Sequence, residues 1–436
     1  MGLMRGSTGE GNPGQAVTLA DVRRAAELLR PIIFVSPCAY SEMISRLTGS
    51  KVWFKLDNLQ MTGSFKERGA CAKLLTLTAE DRKRGVVTAS AGNHALAVAF
   101  HAQRLGIPAT VVMPRHAPLV KVTSARRFGA SVVLHGEDFD EAYAEALRLE
   151  GERKSVLVHP FDDPSVIAGQ GTLGLELLEQ EPDLEAVSVP VGGGGLAGGI
   201  GLALKESGAR TRVIGVQAER VPGMKTALER GRGQALPHAS TIADGIAVRR
   251  VGEITLPLVR RYVDALVTVS EEEIAHAILL LLEVEKTVVE GAGAVTLAAL
   301  INRRLGLEGR RVALVISGGN IDMNVIARVI EKGLVREGRL VRITLIIPDR
   351  PGALASVSAA IGETGANILE IVHTRGFSRA EIGESEITLT LETHGPEHVA
   401  EVERSLSRVG YATLTAAHAM QARKATSERE HGEGGI

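Results

Sequence analysis

The chain has 436 residues, of which 44% are hydrophobic and 23% charged, a composition typical of a globular protein with two or three domains. Its net charge of −1 gives no electrostatic reason to expect nucleic acid or an anionic membrane as a partner. Only two cysteines occur, no uncharged apolar run approaches the ~20 residues that span a bilayer, and the N-terminus lacks a signal-peptide pattern, so we expect a cytoplasmic protein without disulfides.

The first two thirds of the chain alternate between helical and strand patterns. Residues 1–17 are polar and glycine-rich, and we expect them to be flexible. From Leu19, the pattern LADVRRAAELLRP predicts an amphipathic helix that stops at Pro31. Strands separated by helices, and apolar on both sides, predict a mostly parallel sheet covered on both faces, which is an α/β fold. The predicted strands are 85–90, 109–114, 131–135, 156–160, 186–191, 212–217, 264–269 and 311–317.

The pattern changes near residue 338. Residues 340–420 show the order β-α-β-β-α-β, with a Pro-Gly turn and a Gly-Asn turn at the ends of the first helix. That order is typical of a ferredoxin-like module. The charged, glycine-containing segment 331–339 predicts a linker before it, and the polar tail 423–436 is expected to be flexible.

The segment MTGSFKERGA, residues 61–70, contains the first candidate site residue, Lys66. Most lysines are solvated surface charges. A lysine that is desolvated among small and aromatic residues has a lowered pKa, however, and can form a Schiff base with an aldehyde. Because Lys66 follows Gly63, Ser64 and Phe65, both interpretations stay open on the sequence of this segment alone.

A second motif, TASAGNHALA at 88–97, stands at the end of a predicted strand and opens a helix. Ser90, Gly92 and Asn93, together with the free N–H groups of a helix start, predict a site for a carboxylate or phosphate. An ordinary helix cap is the alternative, and His94 could be only a polar residue of the helix.

The third motif, VPVGGGGLAGGIG at 189–201, places four glycines between a strand and a helix. Backbone amides in such a turn can hold a phosphate. Gly193, Gly195 and Gly198 also fit G-x-G-x-x-G, with Glu219 at the end of the next strand, which makes a dinucleotide-dependent dehydrogenase the alternative. That fingerprint normally opens its domain at the first strand, and here several βα units precede it. A single phosphate is therefore favoured.

The fourth motif, VISGGN at 315–320, again follows a strand and contains Ser317 and two glycines. Ligands in parallel α/β sheets collect at the carboxyl ends of the strands. We therefore expect the four motifs to converge on one crevice.

Together the four motifs resemble the fold-type II enzymes that use pyridoxal 5′-phosphate, and more narrowly the threonine/serine dehydratases. The stretch KLDNLQMTGSFKERGA is similar to the family pattern K-x-E-N-x-Q-x-T-G-S-F-K-x-R-G-A, with Asp57 where the family usually has glutamate. The segments SAGNHA, GGGGL and SGGN follow in the family's order. The resemblance covers about residues 20–330. It implies a catalytic domain at 18–335 built of two α/β subdomains, the smaller of which, about 55–160, is inserted in the larger.

The resemblance also implies roles for individual residues. Lys66 would be the Schiff-base lysine and would move the proton at the substrate Cα, while Phe65 would pack beside the cofactor ring. Asn93 would bond the ring hydroxyl, Ser317 would face the pyridine nitrogen, and Gly245 would lie in a loop near the cofactor. The cofactor phosphate would be held by the backbone of Gly192, Gly193, Gly194, Gly195 and Leu196. The substrate carboxylate would be surrounded by Ser90, Ala91, Gly92, Asn93 and His94.

The activity implied is dehydration and deamination of L-threonine to 2-oxobutanoate and ammonia, and of L-serine to pyruvate. Serine racemases of the same fold carry a second serine at the position of Ala91, so racemisation is the disfavoured alternative. A hydroxyl at the ring nitrogen makes a weaker electron sink than a carboxylate, which favours prompt loss of a β-leaving group. Glu219 could ligate a cation, but Lys225 stands where some relatives have a carboxylate, so we predict no required metal.

The C-terminal region resembles an ACT module through the turn motifs DRPGAL (349–354) and GANI (365–368). The resemblance implies an amino-acid effector, with isoleucine or valine plausible, and an allosteric enzyme. A module that serves only assembly, or a non-enzymatic amino-acid sensor, is the alternative. Because ACT modules typically pair between subunits, we expect a homo-oligomer, a dimer or tetramer. Isoleucine biosynthesis and threonine degradation both stay open.

Overall fold

The computed structural model describes residues 17–377 and 380–414. The chain divides into two compact units between Val325 and Ile326. This division falls within the helix Met323–Arg336, so the first six residues of the predicted linker are helical. The predicted domain limits of 18–335 and 340–420 stay predictions. The segments predicted to be flexible, except for Val17, lie outside the described residues, as do residues 415–420.

The first unit contains two sheets. In the larger sheet the strand order is β1-β2-β10-β7-β8-β9, and every neighbouring pair is parallel except the antiparallel pair β1 and β2. In the smaller sheet the order is β5-β4-β3-β6, and all pairs are parallel. The strands are β1 (Cys38–Ser41), β2 (Lys51–Leu56), β3 (Val86–Ala89), β4 (Ala109–Met113), β5 (Ser131–Leu134), β6 (Val156–Leu157), β7 (Ala186–Pro190), β8 (Arg212–Ala218), β9 (Ala265–Val269) and β10 (Arg311–Ile316).

The eight strands predicted from sequence are β3 to β10, and the structure confirms each of them. The sequence analysis missed β1 and β2, which form one edge of the larger sheet. The helices of this unit, the last of which continues into the second, are α1 (Leu19–Leu29), α2 (Glu42–Thr48), α3 (Lys66–Leu75), α4 (Ala79–Arg84), α5 (Asn93–Arg104), α6 (Leu119–Arg127), α7 (Phe139–Arg153), α8 (Pro164–Gln180), α9 (Gly195–Glu206), α10 (Gly223–Arg230), α11 (Thr255–Tyr262), α12 (Glu271–Glu283), α13 (Gly291–Ile301) and α14 (Met323–Arg336).

The central strands of the larger sheet are buried along nearly their whole length, as expected for parallel strands with helices on both faces. Helix α8 packs between α3 and α9 at backbone distance. A methyl group built on Gly169 would lie 2.5 Å from the Arg68 carbonyl oxygen of α3, and one on Gly171 would lie 2.9 Å from the Gly199 carbonyl oxygen of α9. Only glycine allows these two crossings, because any side chain would separate the helices.

The second unit is a three-stranded antiparallel sheet with helices packed against it, in the strand order β11-β13-β12. Thr413 makes one antiparallel bridge to Leu345 at the position of the predicted last strand, and the chain beyond residue 414 lies outside the described residues. The elements are β11 (Leu340–Pro348), α15 (Ala353–Gly362), β12 (Asn367–Thr374), β13 (Glu384–Glu392) and α16 (Pro396–Arg408). Among the described residues of the two units, no helix is both long and apolar enough to cross a membrane.

Candidate active site

Lys66 is the first residue of α3 and its amine points toward the segment that follows β6. The Nζ atom donates a hydrogen bond to the Pro160 carbonyl oxygen at 2.7 Å and lies 5.1 Å from the centre of the Phe65 ring. Burial lowers the pKa of Lys66 from 10.5 to about 8, against the opposing charge of Glu290. The amine can therefore reach its nucleophilic, neutral form near neutral pH.

The end of β10 holds the loop that precedes Lys66. The Phe65 N–H donates to the Ser317 carbonyl oxygen at 3.0 Å, and Ser64 forms an isolated antiparallel bridge with Gly318. Ser317 is only 2% exposed. The first and fourth sequence motifs thus meet at the carboxyl end of β10, as predicted from their places at strand ends.

Glu67 fixes the same loop from within α3. One carboxylate oxygen accepts the Thr62 N–H, and the other lies 3.2 Å from Nε2 of His101 in α5. Glu67 and His101 are each 1% exposed. Glu67 is therefore a buried residue that holds the start of α3 against α5 and the loop before Lys66.

The four-glycine loop runs from the end of β7 to the start of α9. Gly194 has φ of 94°, a left-handed conformation that favours glycine. A side chain on Gly193 would overlap the Phe161 ring, and one on Gly192 would lie 3.0 Å from the Ile246 Cα. Phe161 directly follows Pro160, whose carbonyl oxygen accepts the hydrogen bond from Lys66 Nζ, so the glycine loop and Lys66 both contact the Pro160–Phe161 segment. A bare backbone turn at a helix start, crowded on its other side, suits a phosphate group.

The 90–94 loop leads into α5, whose first residue is Asn93. The first backbone N–H groups of any helix have no partner within the helix. At the start of α5 the cap residue is Gly92, and no side chain accepts a hydrogen bond from these groups. Asn93 is held at both ends of its amide. Its Nδ2 donates to Glu290 Oε1 at 2.7 Å, and its Oδ1 accepts from Asn320 Nδ2 at 2.8 Å. The loop therefore presents backbone donors that suit a carboxylate.

His94, the last residue of this loop, has a buried ring. Its ring is 2% exposed, and Nε2 lies 2.9 Å from the Val158 carbonyl oxygen, which makes Nε2 the donor. Burial and the neighbouring Lys66 lower the pKa of His94 to about 3, so the ring is neutral. The remaining nitrogen, Nδ1, is an acceptor without a partner. A neutral ring in this state has no N–H left for a carboxylate, so only the backbone N–H of His94 suits that role.

Glu290 is a candidate functional residue that the sequence analysis missed. It precedes α13 but makes no side-chain cap there, and it bonds Asn93 instead. Burial, reinforced by the charge of Asp244, raises its pKa from 4.5 to about 7. A methyl group built on Gly245 would lie 3.3 Å from Glu290 Oε1, which brings the predicted Gly245 loop to the same place. A single acidic residue directly before the apolar, glycine-containing helix GAGAVTLAALI is the signal that sequence reasoning could have used.

The chemistry of these residues fits pyridoxal phosphate. Lys66 offers a buried amine for the aldehyde, and the Gly192–Gly195 loop offers backbone donors for the phosphate. Nearby, the buried atoms Ser64 Oγ, Thr62 Oγ1 and His94 Nδ1 have no hydrogen-bond partner within the protein. Buried polar atoms without partners are rare in proteins, and a bound polar ligand is one reason for them to persist. No group of histidine, cysteine, aspartate or glutamate side chains suited to a metal ion occurs within residues 17–377 and 380–414.

Comparison with known proteins places the two units in families. Residues 29–318 match the family described as pyridoxal-phosphate dependent enzymes, and residues 341–408 match the ACT domain. An L-threonine ammonia-lyase of Thermotoga maritima is 52% identical over 91% of this chain and 98% of its own length.

Two solved structures show the same fold as the first unit. The processed form of threonine deaminase isoform 2 from Solanum lycopersicum has a TM-score of 0.69 at 34% identity, covering 74% of this chain and 93% of that one. Maize serine racemase also has a TM-score of 0.69, at 33% identity, covering 74% of this chain and 100% of that one.

Proposed function

The chain belongs to the family of pyridoxal-phosphate-dependent enzymes, with a C-terminal ACT domain, and on this premise we propose that it converts L-threonine to 2-oxobutanoate and ammonia. L-Serine is the second substrate that we propose. The observation that carries the proposal is Lys66, an amine with a pKa of about 8 that shares the Pro160–Phe161 segment with a bare glycine loop. The similarity to an L-threonine ammonia-lyase over nearly the whole chain supports the choice of substrate.

When bound, pyridoxal phosphate supplies an aldehyde for amines and a conjugated ring that accepts electrons from the substrate Cα. The backbone N–H groups of the Gly192–Gly195 loop and Leu196 would hold its phosphate, and Phe65 would pack beside its ring. Asn93, fixed by Glu290, would bond the ring hydroxyl. The Ser317 hydroxyl would face the ring nitrogen.

Lys66 would both hold the cofactor and move the proton at the substrate Cα. With a pKa of about 8, roughly a tenth of the amine is unprotonated at pH 7, and burial supplies this fraction without a neighbouring base. The amine would take the Cα proton once it is free. The β-hydroxyl would leave with its C–O electron pair and take up a proton to become water, while the electrons of the Cα–H bond form a Cα–Cβ double bond. The Ser317 hydroxyl at the ring nitrogen would draw less charge from Cα than a carboxylate partner, which would favour this prompt loss.

The 90–94 loop (Ser90, Ala91, Gly92, Asn93 and His94) would surround the substrate carboxylate. The Ser90 N–H donates to the Val112 carbonyl oxygen and the Gly92 N–H to Ser90 Oγ, so the donors to the carboxylate would be N–H groups at the start of α5, those of Asn93 and His94. Binding at the start of α5 uses the partial positive charge of the helix N-terminus. A carboxylate held there fixes the substrate in one orientation relative to Lys66. This orientation would lower the activation free energy of proton transfer, because the entropy cost of aligning the reacting groups is met on binding.

Serine racemisation is the second candidate, since maize serine racemase has the same fold at 33% identity. A racemase needs an acid on the face of Cα opposite the lysine. Ala91 stands where racemases of this fold carry a serine, and its methyl group has no proton to give. We therefore expect ammonia release from L-serine to exceed D-serine formation, which a chiral amino-acid assay measures directly.

The test of the main proposal is formation of 2-oxobutanoate from L-threonine by the purified protein supplied with pyridoxal phosphate. We expect turnover and a visible absorbance band from the lysine-bound cofactor. Lys66→Ala should abolish both, while Lys83→Ala, a change at an exposed lysine, should alter neither. Turnover or an unchanged band in Lys66→Ala would show that Lys66 has been assigned wrongly.

The ACT domain leads us to propose regulation by an amino acid, with isoleucine or valine as effector, and a place in isoleucine biosynthesis. Homo-oligomerisation to a dimer or tetramer stays a prediction. Initial rates with each branched-chain amino acid added in turn test the effector. Inhibition by isoleucine supports the biosynthetic role, and rates that no amino acid changes would contradict regulation through this domain.

A further inference from the structure

Three buried charged side chains and a fourth that is mostly buried lie beside the first turn of α3, the turn that begins with Lys66. Lys55 and Asp57 are 0% exposed and Arg68 is 1% exposed. Glu176 of α8 completes the group, with its side chain 15% exposed. The two positive and two negative charges balance within this set, which we call the buried charge network.

Arg68 uses every hydrogen-bond donor that it has. Its Nε and Nη2 bind the two oxygens of Asp57 at 2.7 and 2.9 Å, and its Nη1 and Nη2 bind the two oxygens of Glu176 at 2.6 and 2.9 Å. The fifth N–H, on Nη1, donates to Thr172 Oγ1 at 3.2 Å. A guanidinium has five N–H groups in one plane, so this arrangement allows a single orientation of the side chain.

Lys55 is saturated in the same way. Its Nζ donates to the Ser36 carbonyl oxygen at 2.7 Å, to Glu176 Oε2 at 2.5 Å and to Gln180 Oε1 at 2.9 Å. An ammonium group has three N–H donors, and all three have acceptors. The network thus joins β2, the loop after it, α3 and α8 without a free donor on either cation.

The start of α3 depends on such contacts because it lacks an ordinary cap. The residue at its cap position is Phe65, and no side chain caps the helix there. Arg68, two residues after Lys66, instead anchors this turn to α8. Helix α8 in turn touches α9 through Gly171 and Gly199, and α9 begins at the glycine loop. Rigid contacts therefore connect Lys66 to the loop that would hold the phosphate.

Buried ion pairs are a poor means of stabilising a fold, since well-packed apolar side chains often serve as well or better. Their advantage is that saturated hydrogen bonds specify one geometry. We propose that the buried charge network positions Lys66 relative to the glycine loop, which makes Arg68 a positioning residue for the reaction. This inference rests on the function proposed above.

The test is Arg68→Lys, which keeps the charge but cannot bind both carboxylates in bidentate fashion. We expect kcat for L-threonine to fall about tenfold to a hundredfold, because a displacement of about 1 Å at a reacting group has effects of this size. KM should change little, since the 90–94 loop is untouched. Borohydride reduction attaches pyridoxal phosphate covalently to Lys66, and the mass of the Lys66 peptide measures how much is attached. The rate of this labelling should be lower in Arg68→Lys than in wild type at every pH.

Lys73→Met is the matched control. Lys73 lies in the last turn of α3 and pairs with Asp163, the cap residue of α8, at 2.6 Å. The control thus removes an ion pair between the same two helices, at the end of α3 remote from Lys66. It should lower the unfolding midpoint while kcat and the labelling rate stay at the wild-type level. If Arg68→Lys does not fold, Glu176→Gln removes one charge of the network and takes its place.

Equal effects of Arg68→Lys and Lys73→Met on kcat and labelling would overturn the inference, and so would wild-type values in both Arg68→Lys and Glu176→Gln. Wild-type protein that carries no label on Lys66 would overturn the proposed function instead. The two failures are therefore distinguishable, because the second appears before any substitution is made.

Discussion

The two compact units differ in which polar side chains they bury. The first unit buries charged side chains close to its candidate site, among them Lys55, Asp57, Glu67, Arg68 and Glu290. The described part of the second unit buries no aspartate, glutamate, lysine or arginine. Its buried polar residues are Ser385, Thr393, His398, Ser405 and Thr413.

The same contrast holds for hydrogen bonds. In the first unit, buried atoms such as Ser64 Oγ and His94 Nδ1 have no protein partner. Within the described residues of the second unit, no buried side-chain polar atom is without one. A bound ligand is one way to satisfy such buried polar atoms, and Ser64 and His94 lie beside Lys66. The contrast therefore agrees with a ligand site inside the first unit, whereas the buried polar atoms of the second unit's described part are satisfied within the protein.

The largest expected effect follows from the buried charges. Asp57→Asn removes one negative charge that faces Arg68, and we expect it to lower the free energy of unfolding by about 3 to 5 kcal/mol. Denaturant unfolding followed by the fluorescence of Trp53, the single tryptophan, reports on the first unit. In the second unit, Ser385→Ala removes the buried hydroxyl that contacts His373. We expect it to lower the free energy of unfolding of that unit by only about 1 kcal/mol, measured by hydrogen exchange of the β13 amides. Equal costs would remove the contrast between the units.

A pH dependence of intermediate size should come from Glu290. Its pKa in the fold is about 7, above the ordinary 4.5, so the fold favours the protonated carboxyl. This stabilisation is fully present below pH 4.5 and is lost as the pH rises through 7. At about 1.4 kcal/mol per pKa unit, the loss amounts to about 3 kcal/mol.

Glu290→Gln should remove this contribution from the cofactor-free protein. The difference in unfolding free energy between variant and wild type should therefore change by about 3 kcal/mol between pH 4.5 and pH 8 in urea unfolding, while the opposite pH dependence from His94 is the same in both proteins. The variant should gain stability relative to wild type at the higher pH. The β13 amides of the second unit should exchange alike in both proteins, because no buried carboxylate is described there. A variant that keeps the wild-type pH profile would disprove the raised pKa.

The smallest effect compares two buried serines. Ser64 Oγ has no partner, so Ser64→Ala in the cofactor-free protein should be neutral or stabilising by about 1 kcal/mol. Ser405 Oγ donates to the Ala360 carbonyl oxygen at 2.9 Å, so Ser405→Ala should destabilise its unit by about 1 kcal/mol. Hydrogen exchange of β10 and β13 amides measures the two changes separately. The prediction is that Ser405→Ala lowers stability and Ser64→Ala does not, and two losses of equal size would contradict it.

Much of the fold could be predicted because its signals are local. The parallel strands are short apolar runs between helical patterns, and all eight that were predicted are present. Strand β2 was not predicted because its sequence, KVWFKL, contains Lys55. This lysine is buried in the structure, whereas a hydrophobicity pattern treats a lysine as exposed. Strand β1 has two exposed residues among its four and pairs only with β2, so its own sequence carries little signal.

The parts of the candidate site that lie within short sequence motifs could be predicted, and the contacts between distant parts of the chain could not. Lys66 and the glycine loop stood out as candidates in their own short segments, and the role of Lys66 followed only from the four motifs together. Glu290 lies 197 positions from its partner Asn93, and Glu176 lies 108 positions from Arg68. Contacts of that kind are set by the packing of elements that are far apart in the chain, and local sequence patterns do not reveal them. The roles assigned to the individual site residues stay predictions.

Helix α8 illustrates what close packing demands of a folding chain. It contains Gly169, Gly171 and Gly174, and three glycines in place of alanines weaken an isolated helix by about 3 kcal/mol. Such a helix is stable only when its neighbours are present. Its neighbour α9 ends at Glu206, so a growing chain that has not yet reached that residue lacks the surface that completes α8. We expect the region around Lys66 to mature late during synthesis, after the glycine loop and α9 have left the ribosome.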